Sequence, residues 1–148
     1  MSSFLFVVCG LLLKNRDIGK IEKFEDLEVW KLARIICQKV EILFQETDLG
    51  KNYVLRNQME KSSGSIMDNI AEGYGRGGNQ EFINFLSYSK GSATEFKSQL
   101  YRALDKKLIS EEQFHEVSSH CIEADNRIGA FMAYLRKSDL KGIKFKRD

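Results

Sequence analysis

Proline is missing from all 148 residues. Because proline mainly punctuates strands, turns and helix ends, its absence points to uninterrupted helices. Histidine is nearly missing too, with His115 and His120 the only two in the chain. Five apart on one predicted helix, they do not share a face as metal ligands four apart would. Cysteine is sparse: Cys9, Cys37 and Cys121 are far apart, and none forms a C-x-x-C pair. That pattern offers neither a zinc site nor a disulfide framework, and reads as reduced, small apolar side chains in a cytoplasmic protein. A dominant sign of charge is lacking, since the net charge is +2, so no global field steers the chain to nucleic acid. Also absent are a G-x-x-x-x-G-K-[ST] loop and any period-two alternation long enough for a sheet. Their absence excludes a Walker A site and a βαβ dinucleotide fold.

What remains is the composition of one globular domain, 43% hydrophobic and 30% charged. The longest apolar run, "FLFVVCGLLL" (Phe4 to Leu13), has no basic residue before it and Lys14 and Arg16 after it. It is too short for a helix across a bilayer, which takes ~20 residues. Its readings are an extension or mis-set start codon (preferred), a short membrane-associating segment, or an export signal. The expected division is residues 1–20 as an extension, 21–137 as a helical bundle and 138–148 as a basic tail.

Helical periodicity marks four segments. The first, 26–46, starts at Asp26 as N-cap and repeats Leu27, Trp30, Ala33, Cys37, Val40 and Phe44 at three- and four-residue steps. Ile35, Ile36, Ile42 and Leu43 widen that stripe enough to suggest a second contact surface, such as another subunit. The second, 52–72, carries Leu55, Met59, Ser62, Ile66, Asn69 or Ile70, then Gly73, with Ser62-Ser63-Gly64-Ser65 in its middle. Asn69 falls on or beside the stripe, where a register-fixing hydrogen bond is the expected role. The third, 80–106, opens at Asn79 as N-cap and repeats Phe82, Phe85 or Leu86, Ser89, Ser92 or Ala93, Phe96, Gln99 or Leu100, and Ala103. Its small cluster Ser89 to Ala93, with Gly91, is expected to face the serines and glycine of the second. The fourth, 111–137, opens on the capping box Ser110-Glu111-Glu112-Gln113. Short connections between four helices of similar length imply an all-α, antiparallel up-down-up-down four-helix bundle.

Between the second and third segments stands "GYGRGG", Gly73 to Gly78. Without a lysine, a hydroxyl and a preceding strand it is not a nucleotide loop, so Gly73 is expected to end the helix and the other glycines to make the turn. Arg76, beside the start of the third helix, is the exception: it is placed for a phosphate or a partner carboxylate. Asp68 and Glu72 are four apart, but no E-x-x-H set completes a di-metal site. The expectation is a protein without enzymatic activity, metal or cofactor.

The segment "SIMDNIAEGYGRGGNQEFINFLSYSKGSATEFKSQLYRAL" resembles the four helix bundle protein family, also called the 23S rRNA intervening-sequence or S23 family. The resemblance rests on N-I-A-E-G (Asn69 to Gly73, including Glu72), Gly75-Arg76, E-F-x-x-F-L (Glu81, Phe82 to Leu86), Gly91-Ser92 and Gln99-Leu100. "FEDLEVWKLA" (Phe24 to Ala33) resembles the family's usual start, and the match spans about residues 24–137. Met67 stands where many members have proline. The resemblance implies a bundle often assembled as a homopentamer with a basic surface. A relative in diversity-generating retroelements is a nucleic-acid-binding partner of a reverse transcriptase.

Basic residues are patchy. Residues 49–110 hold nine bases against six acids, and 111–135 hold one base against five acids. "RKSDLKGIKFKRD", residues 136–148, is the densest basic piece. The expected function is phosphate contact with structured RNA or DNA, or with a nucleoprotein partner. The candidate residues are Arg56, Lys61, Arg76, Lys90, Lys97 and Arg102, with Lys141, Lys144, Lys146 and Arg147 in the tail. Lys90 and Lys97, seven apart, share a helix face. The alternative is a protein-interaction scaffold whose charges serve only solubility.

Overall fold

The computed structural model describes residues 21–140, with side chains through Ser138. Four helices make up most of it: α1 (Glu28–Glu46), α2 (Tyr53–Arg76), α3 (Asn79–Asp105) and α4 (Glu111–Leu140). Short 3-10 turns, Phe24–Asp26 and Asp48–Lys51, precede α1 and α2. Every regular element among the described residues is helical. The proposed extension 1–20 and the tail bases from Lys141 onward lie outside the described residues.

Helix ends depart from expectation in ways the packing explains. Asp26 does not cap α1. Its carboxylate instead accepts from the N–H groups of Glu22 and Lys23, at 3.1 and 3.3 Å, and Leu27 takes the cap position. Nor does Gly73 stop α2. The helix continues to Arg76 and ends at Gly77, whose φ of +99° is the left-handed conformation that glycine adopts without strain. Asn79 is the first residue of α3 and Gly78 its cap. Helix α2 passes Met67 without a break.

Helix α3 closes in a Schellman motif without glycine. Leu108 N–H donates to the Ala103 carbonyl and Lys107 N–H to Leu104, with Lys107 at φ +57°. The expected capping box then opens α4: Gln113 N–H donates to Ser110 Oγ and Ser110 N–H to Gln113 Oε1. Helix α4 runs through Leu140, three residues into the expected tail. Leu135 and Ser138 are still buried there, and no glycine interrupts the segment before Gly142.

Each helix packs on two neighbours, α1 on α2 and α4, and α3 on α2 and α4. The core between them is built from Ala33, Ile36 and Val40 of α1, and Leu55, Met59, Ile66 and Ile70 of α2. Leu86, Phe96 and Leu100 of α3 and Ala124, Ile128 and Leu135 of α4 complete it. Because α1 faces two partners, its broad apolar surface is mostly used inside the domain. Ile36 and Leu43 are buried and Ile35 is half-buried, leaving only Ile42 of the widening residues exposed, at 45%.

Candidate functional site

Helices α2 and α3 meet along a polar seam, as the small residues on both foretold, but the contacts come from the serines and not from Gly64 or Gly91. A Cβ on either of those glycines would find no atom within 4 Å. Ser89 Oγ donates to the Ile66 carbonyl at 2.7 Å, and Ser92 Oγ donates to Ser65 Oγ at 2.9 Å. Asn69 Nδ2 donates to the carbonyl and hydroxyl of Ser65, at 2.8 and 2.9 Å, so it belongs to the same network. Between α2 and α3 the close approach that requires glycine is at Gly73, where a Cβ would stand 2.6 Å from the Phe85 Cβ. Phe82 is buried beside it and packs edge-on against Phe131 of α4.

The candidate cations do not form one patch. Arg76 lies in the last turn of α2 and not in a loop. It pairs with Glu72 at 2.9 Å, lies 5.2 Å over the Phe85 ring and has Glu81 nearby. What differs from expectation is the setting, an exposed pair on a helix in place of a free arginine in a loop. Gly75 and Glu81 are exposed at the same end of the bundle. Lys90 points to α4 and pairs with Asp125 at 3.3 Å. Lys97 shares that side, where its charge partly offsets the effect of burial on Cys121. Arg56 is structural: it donates to the Gly50 carbonyl at 3.3 Å and lies 5.5 Å over Phe44.

Lys61 and Arg102 are the two candidates the fold brings together. They line an open groove of about 450 Å³ with Gln58, Glu95, Ser98 and Gln99. Arg102 Nη1 donates to Gln58 Oε1 at 2.8 Å, and neither cation pairs with a carboxylate among the described residues. Beneath them Gln99 is buried, its Oε1 accepting from Ser62 Oγ at 2.5 Å and its Nε2 donating to Glu95 at 3.4 Å. Sequence reasoning missed Gln58, Glu95 and Ser98, and named Gln99 only as a motif residue and not as part of a site. Gln99 alone had left a signal, as a polar side chain on an apolar stripe.

The helix order also separates charge. Residues 49–110, which hold α2 and α3, carry nine Lys/Arg and six Asp/Glu. Residues 21–48 and 111–140, which hold α1 and α4, together carry seven and thirteen. The bundle therefore has a +3 layer against a −6 layer. Two cross-links, Lys39–Glu116 and Arg127–Glu28, bind the acidic layer together. Among the described residues no group of three or more His, Cys, Asp and Glu is placed to hold a metal, and no helix is long and apolar enough to cross a membrane. Burial pushes the thiols of Cys37 and Cys121 up, to about 11 and about 12, so neither is an activated nucleophile.

No curated protein matches the chain. Among solved structures, a protein of unknown function from the S23 ribosomal protein family of Bacteroides thetaiotaomicron is similar. It is 20% identical, the match covers 70% of this chain and 97% of that one, and the TM-score is 0.65, a likeness that shows a shared fold. The family model described as 23S rRNA-intervening sequence protein matches residues 25–130. The chain belongs to the 23S rRNA-intervening sequence protein family.

Proposed function

We propose that this chain is a non-enzymatic, oligomeric helical-bundle protein that binds nucleic acid, structured RNA or DNA, through its α2–α3 layer. The observation that carries the reading is the separation of charge. A +3 layer on one side of the bundle, with Lys61 and Arg102 adjacent and unpaired by carboxylates, presents phosphates with a favourable face and repels them from the other. Contacts that climb α2 while descending α3, and climb α1 while descending α4, fit an up-down-up-down order. A homopentamer of such bundles repeats one modest patch five times, and multiplicity strengthens weak sites. The tail bases Lys141, Lys144, Lys146 and Arg147, which lie outside the described residues, add positive charge to the chain.

The test is binding of the full chain to an RNA hairpin and a DNA duplex over a salt series, with mass measured in the same samples. The expected result is log–log weakening with salt, at a slope of about −0.9 per duplex phosphate neutralised. Absence of binding at low salt would reject the reading. A second reading, a scaffold for a protein partner, draws support from the exposed apolar residues Ile42, Tyr53 and Val54 flanking the α1–α2 connection. Salt-insensitive capture of a polypeptide, such as a reverse transcriptase, would favour it.

A further inference from the structure

If the groove takes phosphate, a carboxylate in its lining needs a reason, because it would repel the ligand that Lys61 and Arg102 would attract. Glu95 is such a group, and its place is set from beneath. Gln99 is 6% exposed, and with its Oε1 held by the Ser62 hydroxyl its amide nitrogen turns outward to Glu95 Oε1. That bond engages one oxygen and one lone pair, which leaves the groove-lining carboxylate further acceptor capacity. On the other side Gln58 Oε1 holds one N–H of Arg102 and leaves the rest of the fork to a ligand. The groove thus sets two cations beside one exposed acceptor that the core touches through Gln99. A phosphodiester chain supplies a matching donor only when its sugar is ribose, through the 2′-hydroxyl.

We propose that this groove distinguishes RNA from DNA. Lys61 and Arg102 take backbone phosphates, and Glu95, positioned by the buried Ser62–Gln99 pair, accepts the hydrogen of a 2′-hydroxyl. On deoxyribose the carboxylate meets no donor and only repels. The proposal rests on the nucleic-acid reading above and narrows it to one polymer.

The experiment compares the full chain, wild type and Glu95→Ala, against three hairpins of one sequence: RNA, DNA and 2′-fluoro RNA. The fluoro sugar keeps the RNA helix shape and lacks the donor. Wild type is expected to bind RNA about five- to tenfold tighter than either analogue, the scale of one hydrogen bond to a charged, solvent-accessible group. In Glu95→Ala the three affinities converge, with DNA binding equal or tighter. Gln99→Leu, which leaves Glu95 in place but unbuttressed, is expected to lower the RNA preference part of the way. Equal wild-type affinity for RNA and 2′-fluoro RNA would overturn the proposal while leaving nucleic-acid binding intact. No binding to any hairpin would overturn both.

Discussion

Replacing Gly73 by alanine sets two effects of opposite sign against each other. Gly73 is inside α2, so alanine gains about 1 kcal/mol of helix propensity. The new Cβ, however, would stand 2.6 Å from the Phe85 Cβ and 3.3 Å from the Phe82 ring. The Phe85 Cβ is fixed to the backbone and cannot swing aside as a side-chain tip can, so α2 and α3 must separate. Overpacking of this kind costs roughly 1–3 kcal/mol, and the short contact puts this case toward the upper end. The expected net loss is about 1–2 kcal/mol, or roughly 3–8 °C in Tm for a chain of this length. Gly64→Ala and Gly91→Ala serve as controls, since their Cβ atoms meet nothing within 4 Å and both should stabilise by about 0.5–1 kcal/mol. Urea unfolding followed by circular dichroism reads all three. A Gly73→Ala protein as stable as the Gly64→Ala protein would refute the close approach of α2 and α3.

Other expectations follow from single contacts. Ser62→Ala leaves the buried Gln99 carbonyl without its donor and should cost about 1–3 kcal/mol, whereas Ser62→Ala with Gln99→Leu should recover part of the loss in a double-mutant cycle. Burial raises both described thiols from 9.0, to about 11 for Cys37 and about 12 for Cys121. Their contribution to stability is therefore complete below pH 9 and is lost as pH rises toward 11 to 12, because the unfolded chain releases those protons first. Urea midpoints should fall over that window less steeply in Cys37→Ala/Cys121→Ala than in wild type, and equal slopes would contradict the assignment. Lys107→Gly relieves a positive φ at the end of α3 and should raise stability by about 1 kcal/mol, seen as a higher urea midpoint. Arg76→Ala, which removes an exposed helical pair, should leave the melting temperature unchanged within error.

The helices were legible because each repeats apolar residues at helical steps and nothing resembling a strand competes. The capping box at Ser110 was legible for the same reason: it is a local pattern with a local cause. Gly73 was misjudged because a glycine near a helix end looks the same whether it supplies positive φ or room for Phe85. Only the partner helix distinguishes the two. Arg76 fared likewise, since its fate turned on α2 continuing one more turn past Glu72. The groove was the least legible feature. Lys61 and Arg102 are 41 positions apart, and their neighbours Gln58 and Glu95 look like any solvated polar residue until α2 and α3 are set side by side.

Whether the α2–α3 layer meets nucleic acid is decided by two charge-reversed proteins with the same total charge: Lys61→Glu/Arg102→Glu on that layer and Lys31→Glu/Arg34→Glu on exposed positions of α1. Affinity for one RNA hairpin is measured across a salt series, with mass checked in each sample. The expected result is a loss of binding and a shallower salt slope, by one to two phosphates, for the α2–α3 pair only. Equal losses in both proteins, or a loss confined to the α1 pair, would contradict the claim.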